Sequence, residues 1–207
     1  MRIVLMGPPA SGKGTQAKIL SDLLEIPHIS TGDMLRAAIA ANTNIGQKVE
    51  GISQGNFAPD EIVIQLVKER LSSNEVKRGF ILDGFPRNAA QTEILAELLE
   101  EMGVKIDHVL FIDVPRELLI ERATLRRVDT HTGQIYHLLY NPPPDNAVLE
   151  HRPDDHEDKV NTRLNLYQSM TAKLIPHYYQ AKGLLRHIDG TGAPEEVTKR
   201  IFTALKL

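Results

Sequence analysis

The chain has 207 residues, of which 42% are hydrophobic and 25% charged, and this balance is typical of one generous globular domain. Its formal net charge of −3 argues against a protein that coats nucleic acid, so no nucleic-acid partner is expected. The lack of cysteine excludes disulfides, thiol nucleophiles and cysteine-based zinc sites, and it favours a cytoplasmic location. We find neither an apolar run of the ~18 residues that a membrane span needs nor a signal peptide, and therefore expect no membrane partner.

Short apolar runs alternate with helical patterns along the chain. The predicted strands cover residues 2–6, 26–30 (the weakest), 80–83, 108–114 and 184–189. The predicted helices cover residues 13–24, 33–41, 60–71, 89–102, 115–127, 157–182 and 194–205. Asp33 and Asp60 are candidate caps, and Pro115 and Pro194 fit first helical positions. The alternation predicts an α/β fold with a mostly parallel sheet.

The segment GPPASGKGT lies between the first predicted strand and the first predicted helix. Gly7, Gly12 and Lys13 fit the P-loop pattern, in which backbone N–H groups and a helix N-terminus surround a phosphate. Gly14 stands where common P-loop proteins place the hydroxyl that ligates Mg²⁺. We therefore expect Mg²⁺ to be bound by the nucleotide phosphates and water, with Asp83 acting through water. The competing interpretation is a plain strand-to-helix turn.

Two further stretches, STGDMLR and DGFPRN, each place an arginine near the carboxyl end of a predicted strand. These arginines are Arg36 and Arg87, and ligands of open α/β sheets bind along that edge. Either one alone is as well explained as a surface residue. Together with the phosphate loop, they indicate a second phosphate site.

Residues 128–153 interrupt the alternation, since Gly133 and the three prolines 142–144 cannot continue the preceding helix. A long non-helical excursion inside a compact domain is usually functional or disordered. We interpret it as a small inserted subdomain, with a hairpin as one form, flanked by Arg126, Arg127 and Arg152.

The motifs GPPASGKGTQ, STGDMLR, LDGFPR, the RR pair before the insertion and RPDD…TRL resemble those of adenylate kinases, in the same order. The resemblance covers essentially the whole chain, and DGFPR after a G-x-x-x-x-G-K-G-T loop is its most specific part. It implies a P-loop three-layer fold with a central five-stranded parallel sheet, helices on both faces and a small lid insertion. The implied divisions are a core of residues 1–29, 60–122 and 157–207, a segment for the nucleoside monophosphate at 30–59, and a lid at 123–156.

The activity implied by the resemblance is reversible phosphoryl transfer from MgATP to AMP, giving two ADP without a covalent intermediate. The implied catalytic residues are Lys13, Arg87, Arg126, Arg152 and Arg163. The implied ATP-binding residues are Pro8, Pro9, Ala10, Ser11, Gly12, Lys13, Gly14, Thr15, Arg122, Arg126, Tyr136, His137 and Gly192. The implied AMP-binding residues are Thr31, Arg36, Ile52, Ala58, Gly84, Arg87, Gln91, Arg152 and Arg163. We expect a monomer, as is common in the family, and no structural zinc.

Several residues depart from the family pattern. Ala10 replaces a loop glycine, and we expect a small shift in φ to limit the strain. Gln134 replaces a lid arginine. Asn88 replaces a threonine and is common in UMP/CMP kinases, which are the alternative reading, whereas Thr31 and the long insertion favour AMP.

Some choices stay open at the level of the sequence. Asp154 and Asp155 either cap the helix that follows or pair with the hinge of the lid. His137 is either a packed lid residue or an ATP contact. A GTPase-like switch is disfavoured because no guanine-reading Asn-Lys-x-Asp follows a strand, and a non-catalytic sensor because every key arginine is present.

Overall fold

The computed structural model describes residues 1–50, 57–172 and 174–207. Within them the strands are β1 (Arg2–Met6), β2 (His28–Ser30), β3 (Phe80–Asp83), β4 (His108–Asp113), β5 (Arg126–Asp129), β6 (Ile135–His137), β7 (Leu149–Glu150) and β8 (Leu185–Asp189). The α-helices are α1 (Lys13–Leu24), α2 (Thr31–Ala40), α3 (Asn44–Glu50), α4 (Asp60–Leu71), α5 (Ala89–Glu101), α6 (Arg116–Thr124), α7 (Glu157–Met170), α8 (Leu174–Ala181) and α9 (Pro194–Leu205). Short 3₁₀ helices lie at Asn74–Arg78 and Pro153–Asp155.

The main sheet has the strand order β2-β3-β1-β4-β8, and all of its strands run parallel. At its centre, Ile3 of β1 lies opposite Ile81 of β3 and His108 of β4. The carboxyl ends of β1, β2 and β3 therefore meet at one edge. The predicted five-stranded parallel sheet is confirmed.

Helices cover both faces of this sheet, because successive residues of a strand point to opposite sides. Val4 and Met6 of β1 face one buried cluster, to which α4, α5 and α8 contribute. Ile3 and Leu5 face the other cluster, which includes side chains of α1, α6 and α9. These strands are apolar on both sides, as buried parallel strands are. The arrangement is the predicted three-layer fold.

The insertion is a three-stranded antiparallel sheet with the order β6-β5-β7, so a hairpin alone describes it incompletely. The predicted helix 115–127 is also too long, because α6 ends at Thr124. Arg126 and Arg127 belong to β5, where they lie opposite His137 and Tyr136 of β6. Strand pairing within the insertion thus competes successfully with continuation of the helix.

The prediction of one helix over residues 157–182 is wrong. Helix α7 ends at Met170 and α8 begins at Leu174. Pro176 has no N–H for the carbonyl of Ala172 and would crowd it in a continuous helix. The Thr171 hydroxyl also donates to the Arg87 carbonyl oxygen at 2.7 Å, which anchors the break to the end of the DGFPR segment.

Helix starts differ in detail from the predictions. Ser30 rather than Asp33 caps α2, and its hydroxyl accepts the Asp33 N–H at 3.2 Å. Asp60 is the first residue of α4, and Pro115 precedes α6, whereas Pro194 is the first residue of α9 as predicted. Helix α3 was not predicted. Across the described parts of the chain, the helices are all too short or too polar to cross a membrane.

Candidate active site

The phosphate loop connects β1 to α1 at the carboxyl edge of the main sheet. Gly12 precedes α1 with φ of 95° and Gly7 has φ of 146°, both in the region that favours glycine. A Cβ at Gly7 would also collide with the carbonyl oxygen of Ile112. These two glycines let the loop turn tightly against β4 and direct the first N–H groups of α1 outward.

Ala10 lies in the middle of this loop with φ of 64°, a left-handed conformation. The expectation that a small shift in φ would limit the strain is therefore wrong. An L-residue other than glycine is destabilised there by roughly 1–2 kcal/mol. The Ala10 methyl group packs beside the buried cluster of α1, α6 and α9, which offsets part of this cost.

The Lys13 ammonium group folds back over the loop. Its Nζ donates to the carbonyl oxygens of Gly7 at 2.9 Å and Pro8 at 2.8 Å. Burial lowers the pKa of Lys13 to about 8, and the positive charges of Arg163, Arg87 and Arg126 act in the same direction, against the charge of Asp83. The loop therefore holds a cation that other cations surround.

Asp83 ends β3 beside the loop and is only 8% exposed. Its Oδ2 lies 3.4 Å from His28 Nε2, and a Cβ built on Gly14 would be 3.9 Å from the same oxygen. Among the residues described, no group of three or more His, Asp or Glu side chains could hold a metal ion. A single carboxylate beside the loop fits a water-mediated contact to a metal that arrives bound to the nucleotide.

Arg126 and Asp155 form a buried bidentate pair between the lid and the segment that leads out of it. Arg126 Nε donates to Asp155 Oδ2 at 2.7 Å and Nη2 to Oδ1, while Asp155 is 0% exposed. His156, not Asp154, precedes α7, and none of the side chains that the structure describes caps this helix. Asp155 thus pairs with Arg126 and Asp154 with Arg163 of α7, which favours ion pairing over helix capping as the role of the two aspartates.

Other arginines converge on the same edge. Arg163 Nη1 lies 2.7 Å from Asp154 Oδ2, and Arg36 Nη2 lies 2.6 Å from Asp33 Oδ1. Burial lowers the pKa of Arg152 to about 10, and the charges of Arg36 and Arg126 add to this effect. Such mutual repulsion between cations is relieved when an anion binds among them.

A cavity of about 290 Å³ adjoins Arg87, and burial lowers the pKa of that guanidinium to about 10. The guanidinium lies over the Phe57 ring, 4.7 Å from its centroid. The cavity is lined by Phe57, Ala58, Pro59, Asp60, Val63, Arg87, Asn88, Gln91, Leu166 and Met170. Apolar walls with a few polar groups suit a planar base.

Thr31 and Gly84 both contact the Arg87 guanidinium. The Thr31 hydroxyl donates to the Gly84 carbonyl oxygen at 2.9 Å, and Arg87 Nε donates to that oxygen at 2.7 Å. The structure thus brings Thr31, Ala58, Gly84, Arg87 and Gln91 together. Ile52, which the sequence also predicts to bind AMP, lies outside the described residues.

The comparison with known proteins is decisive for the family. Residues 5–183 match the family model described as adenylate kinase. The chain belongs to the adenylate kinase family. It is 49% identical to the adenylate kinase of Sorangium cellulosum over 99% of this chain and 96% of that protein. It is 46% identical to that of Desulforamulus reducens, with all of both chains covered, and 45% identical to that of Archaeoglobus fulgidus over 100% of this chain and 98% of that protein.

Membership of the adenylate kinase family confirms the resemblance drawn from the motifs. The three relatives above all bear the same name, so the alternative of a UMP/CMP kinase is not favoured. Asn88, the residue behind that alternative, caps α5 through its side-chain oxygen and donates from Nδ2 to Asp60 Oδ2 at 2.8 Å. Both ends of its amide are therefore engaged with protein groups.

The predicted ATP-binding residues of this family member lie in the phosphate loop and the start of α1, on α6, in the lid, and at Gly192 between β8 and α9. Arg122 donates to the carbonyl oxygens of Gly190 at 2.9 Å and Gly192 at 3.3 Å, which places two predicted contacts side by side. His137 stacks on Tyr140 with ring centroids 4.7 Å apart, and its Nδ1 accepts the Tyr140 N–H at 3.2 Å. This geometry supports the reading of His137 as a packed lid residue.

The lid also contacts the core beside the phosphate loop. Lys18 Nζ of α1 donates to Gln134 Oε1 at 3.2 Å. The glutamine that replaces the arginine of the family pattern therefore accepts a hydrogen bond from a lysine of the core. A cavity of about 360 Å³ lies between the start of α1 and the lid, and Gly14, His28 and Arg152 line part of it.

Sequence reasoning missed several residues around the site. Tyr140 donates from its hydroxyl to Glu121 Oε1 at 2.9 Å, which links the lid to α6. Asp60 and Thr171 contact Gln91 and Arg87 through long-range hydrogen bonds. The sequence indicates Asp60 only as a helix-cap candidate, and no local motif marks its place in the cavity wall.

Proposed function

We propose that the chain catalyses reversible transfer of the γ-phosphoryl group of MgATP to AMP, giving two ADP. The observation that carries this proposal is the crowding of Lys13 by Arg87, Arg126 and Arg163, between the phosphate loop and the cavity at Arg87. A cation cluster with a nucleotide pocket beside it suits two phosphate groups that approach one another. Family membership supports the same reaction.

The proposed mechanism relies on positioning and charge. In the transfer, the bond from the γ-phosphorus to the ADP leaving oxygen breaks while a bond to an AMP phosphate oxygen forms. Lys13 and the loop N–H groups hold the ATP phosphates, and Arg36 and Arg87 hold the AMP phosphate. Arg126, Arg152 and Arg163 neutralise the charge of the transferring group, and no protein nucleophile is needed.

We propose that Mg²⁺ enters as part of the MgATP substrate. Its charge, when bound, offsets the negative charge of the phosphates. Asp83 is the residue in place to orient water molecules of the metal, since it is a nearly buried carboxylate next to Gly14 and Lys13. The remaining proposed ATP contacts are Pro8, Pro9, Ala10, Ser11, Gly12, Gly14, Thr15, Arg122, Tyr136 and Gly192, whereas His137 supports the lid by packing on Tyr140.

We further propose that residues 123–156 form a lid over ATP and residues 30–59 a flap over AMP, on a core of residues 1–29, 60–122 and 157–207. Closure would exclude water that could otherwise hydrolyse ATP. A bisubstrate inhibitor that bridges both nucleotide sites should slow hydrogen exchange in both segments. Unchanged exchange in both would contradict the assignment.

A panel of monophosphates tests the reaction itself. The chain should convert ATP and AMP to ADP faster than it phosphorylates CMP or UMP, and faster turnover of CMP would overturn the proposal. Lys13→Ala should lower kcat by about two orders of magnitude or more, because it deletes a positive charge at the transferring group. Lys68→Ala, at an exposed lysine in the last turn of α4, is the matched control and should retain activity.

We propose that the protein acts as a monomer in the cytoplasm. The lack of cysteine suits a reducing compartment. Size-exclusion chromatography with light scattering tests the oligomeric state, and a mass of twice 23.1 kDa would contradict the monomer.

A further inference from the structure

The amide of Gln91 is held at both of its ends. Its Oε1 accepts the backbone N–H of Arg87 at 2.8 Å, and its Nε2 donates to Asp60 Oδ1 at 2.7 Å. Gln91 is 2% exposed and lies in the wall of the cavity at Arg87. The orientation of this amide is therefore set by one donor and one acceptor of the protein.

Rotating the Gln91 amide by 180° would reverse both contacts. The amide oxygen would then face the carboxylate of Asp60, which accepts hydrogen bonds and donates none, and the NH₂ group would face the Arg87 N–H. Both original partners of Gln91 would lose their hydrogen bonds, each at a cost typical of buried polar groups. Asp60 is the partner that makes the preference strong, because a carboxylate repels a carbonyl oxygen.

A second amide holds Asp60 in place. Asn88 Nδ2 donates to Asp60 Oδ2 at 2.8 Å, while Asn88 Oδ1 accepts the Gln91 N–H at 2.9 Å. Each oxygen of the carboxylate thus accepts from a different amide. Asp60, Asn88 and Gln91 form one network that connects the start of α4 to the start of α5.

The fixed amide has one hydrogen on Nε2 and one lone pair on Oε1 left for a ligand. A donor beside an acceptor complements a base that carries a ring-nitrogen acceptor next to an amino group. Adenine has this edge at N1 and the 6-amino group. Hypoxanthine, its 6-oxo counterpart, has the reversed edge, with an N1–H donor next to a carbonyl oxygen.

We propose that Asp60 is a positioning residue that fixes the Gln91 amide and thereby selects 6-amino over 6-oxo purine monophosphates. This inference rests on the proposed function, because it takes the cavity at Arg87 as the site of the monophosphate base. Cytosine presents the same edge as adenine, so the network separates amino bases from oxo bases and leaves AMP and CMP alike.

The test compares AMP with IMP, which differ only at the edge in question. In the unmodified chain kcat/KM with AMP should exceed that with IMP by at least about tenfold, as expected when a buried hydrogen-bonding edge is mismatched. Asp60→Asn keeps the shape but supplies an NH₂ group that tolerates the rotated Gln91. Asp60→Asn should lower the ratio of kcat/KM with AMP to kcat/KM with IMP (the AMP:IMP ratio) by about tenfold, and it should leave KM for ATP unchanged.

Glu61→Gln is the matched control, since Glu61 is exposed, follows Asp60 in the first turn of α4 and loses the same charge. It should leave the AMP:IMP ratio unchanged. Asn88→Thr keeps a helix cap but removes one amide from Asp60, so it should lower the ratio by a smaller factor. Asn88→Thr keeps the inference testable if Asp60→Asn does not fold.

An unchanged AMP:IMP ratio in Asp60→Asn would overturn the inference, and so would an equal loss with both nucleotides, which would mark Asp60 as a purely structural residue. A chain that phosphorylates AMP without discriminating against IMP would also overturn it, while the proposed function would stand. A chain that does not phosphorylate AMP at all would refute the proposed function first.

Discussion

Raising the pH through 8 should weaken the use of ATP, because Lys13 loses its charge there. Burial lowers the pKa of Lys13 to about 8, and three neighbouring arginines add to the shift. Relative to the ordinary value of 10.5, the charged form is disfavoured by about 3 kcal/mol in the nucleotide-free protein. A bound phosphate reverses this preference, because it pairs with the ammonium group.

The size of the effect follows from the protonated fraction. With a pKa of about 8, Lys13 is roughly 90% charged at pH 7 and roughly 10% charged at pH 9. Since kcat/KM reports the ionisation of the free enzyme, its value for ATP should fall about tenfold over that interval. The second ionisation of a phosphate group has a pKa of about 6 and is roughly 90% complete at pH 7, so the charge of both substrates changes little between pH 7 and 9.

ADP formation should be measured directly by chromatography at saturating AMP, since coupling enzymes have pH profiles of their own. Lys13→Arg is the control: its absolute activity should be lower, but its kcat/KM for ATP should stay flat between pH 7 and 9 because the guanidinium remains charged. A flat profile in the unmodified chain would refute the reasoning, and so would an unchanged alkaline decline in Lys13→Arg.

Three further predictions concern the supports of the site. Asp155→Asn removes the buried negative charge that compensates the Arg126 guanidinium and should lower the free energy of unfolding by about 3–5 kcal/mol in urea titrations. Ala10→Gly removes a left-handed alanine, and a gain of about 0.5–1 kcal/mol should appear in the same titrations after the extra entropy of glycine is counted. Thr171→Val leaves the Arg87 carbonyl without its 2.7 Å hydrogen bond, should cost about 1–3 kcal/mol, and should raise KM for AMP more than KM for ATP. Unchanged stability in any of these variants would contradict the corresponding contact.

The parallel sheet and the phosphate loop could be predicted because their signals are local. Each main strand is an apolar run, and Gly7, Gly12 and Lys13 stand in a fixed spacing between strand and helix. The helix boundaries that failed depend instead on distant partners. The break at Thr171 involves Arg87, and the early end of α6 involves a strand that pairs across the insertion.

The same distinction applies to the candidate site. Lys13, Arg36 and Arg87 lie in short motifs, so the sequence alone points to them. Asp60 has no such motif: its contact with Gln91 spans 31 positions and exists only because the starts of α4 and α5 lie together. The sequence also left two readings of Asp155, and its complete burial against Arg126 decides between them.

The electrostatics of the site explain why its cations need acidic partners before any nucleotide binds. Arg126 is buried, and burial alone would lower its pKa, but the hydrogen bonds and charge of Asp155 outweigh that effect and raise it. Arg163 has a similar partner in Asp154, yet burial still lowers its pKa. Arg152, Arg87 and Lys13 are less well compensated, because like charges on neighbouring residues add to their desolvation. Phosphate groups would relieve this repulsion most at these three residues, so nucleotide binding should stabilise the protein by offsetting the strongest charge repulsion of the nucleotide-free site.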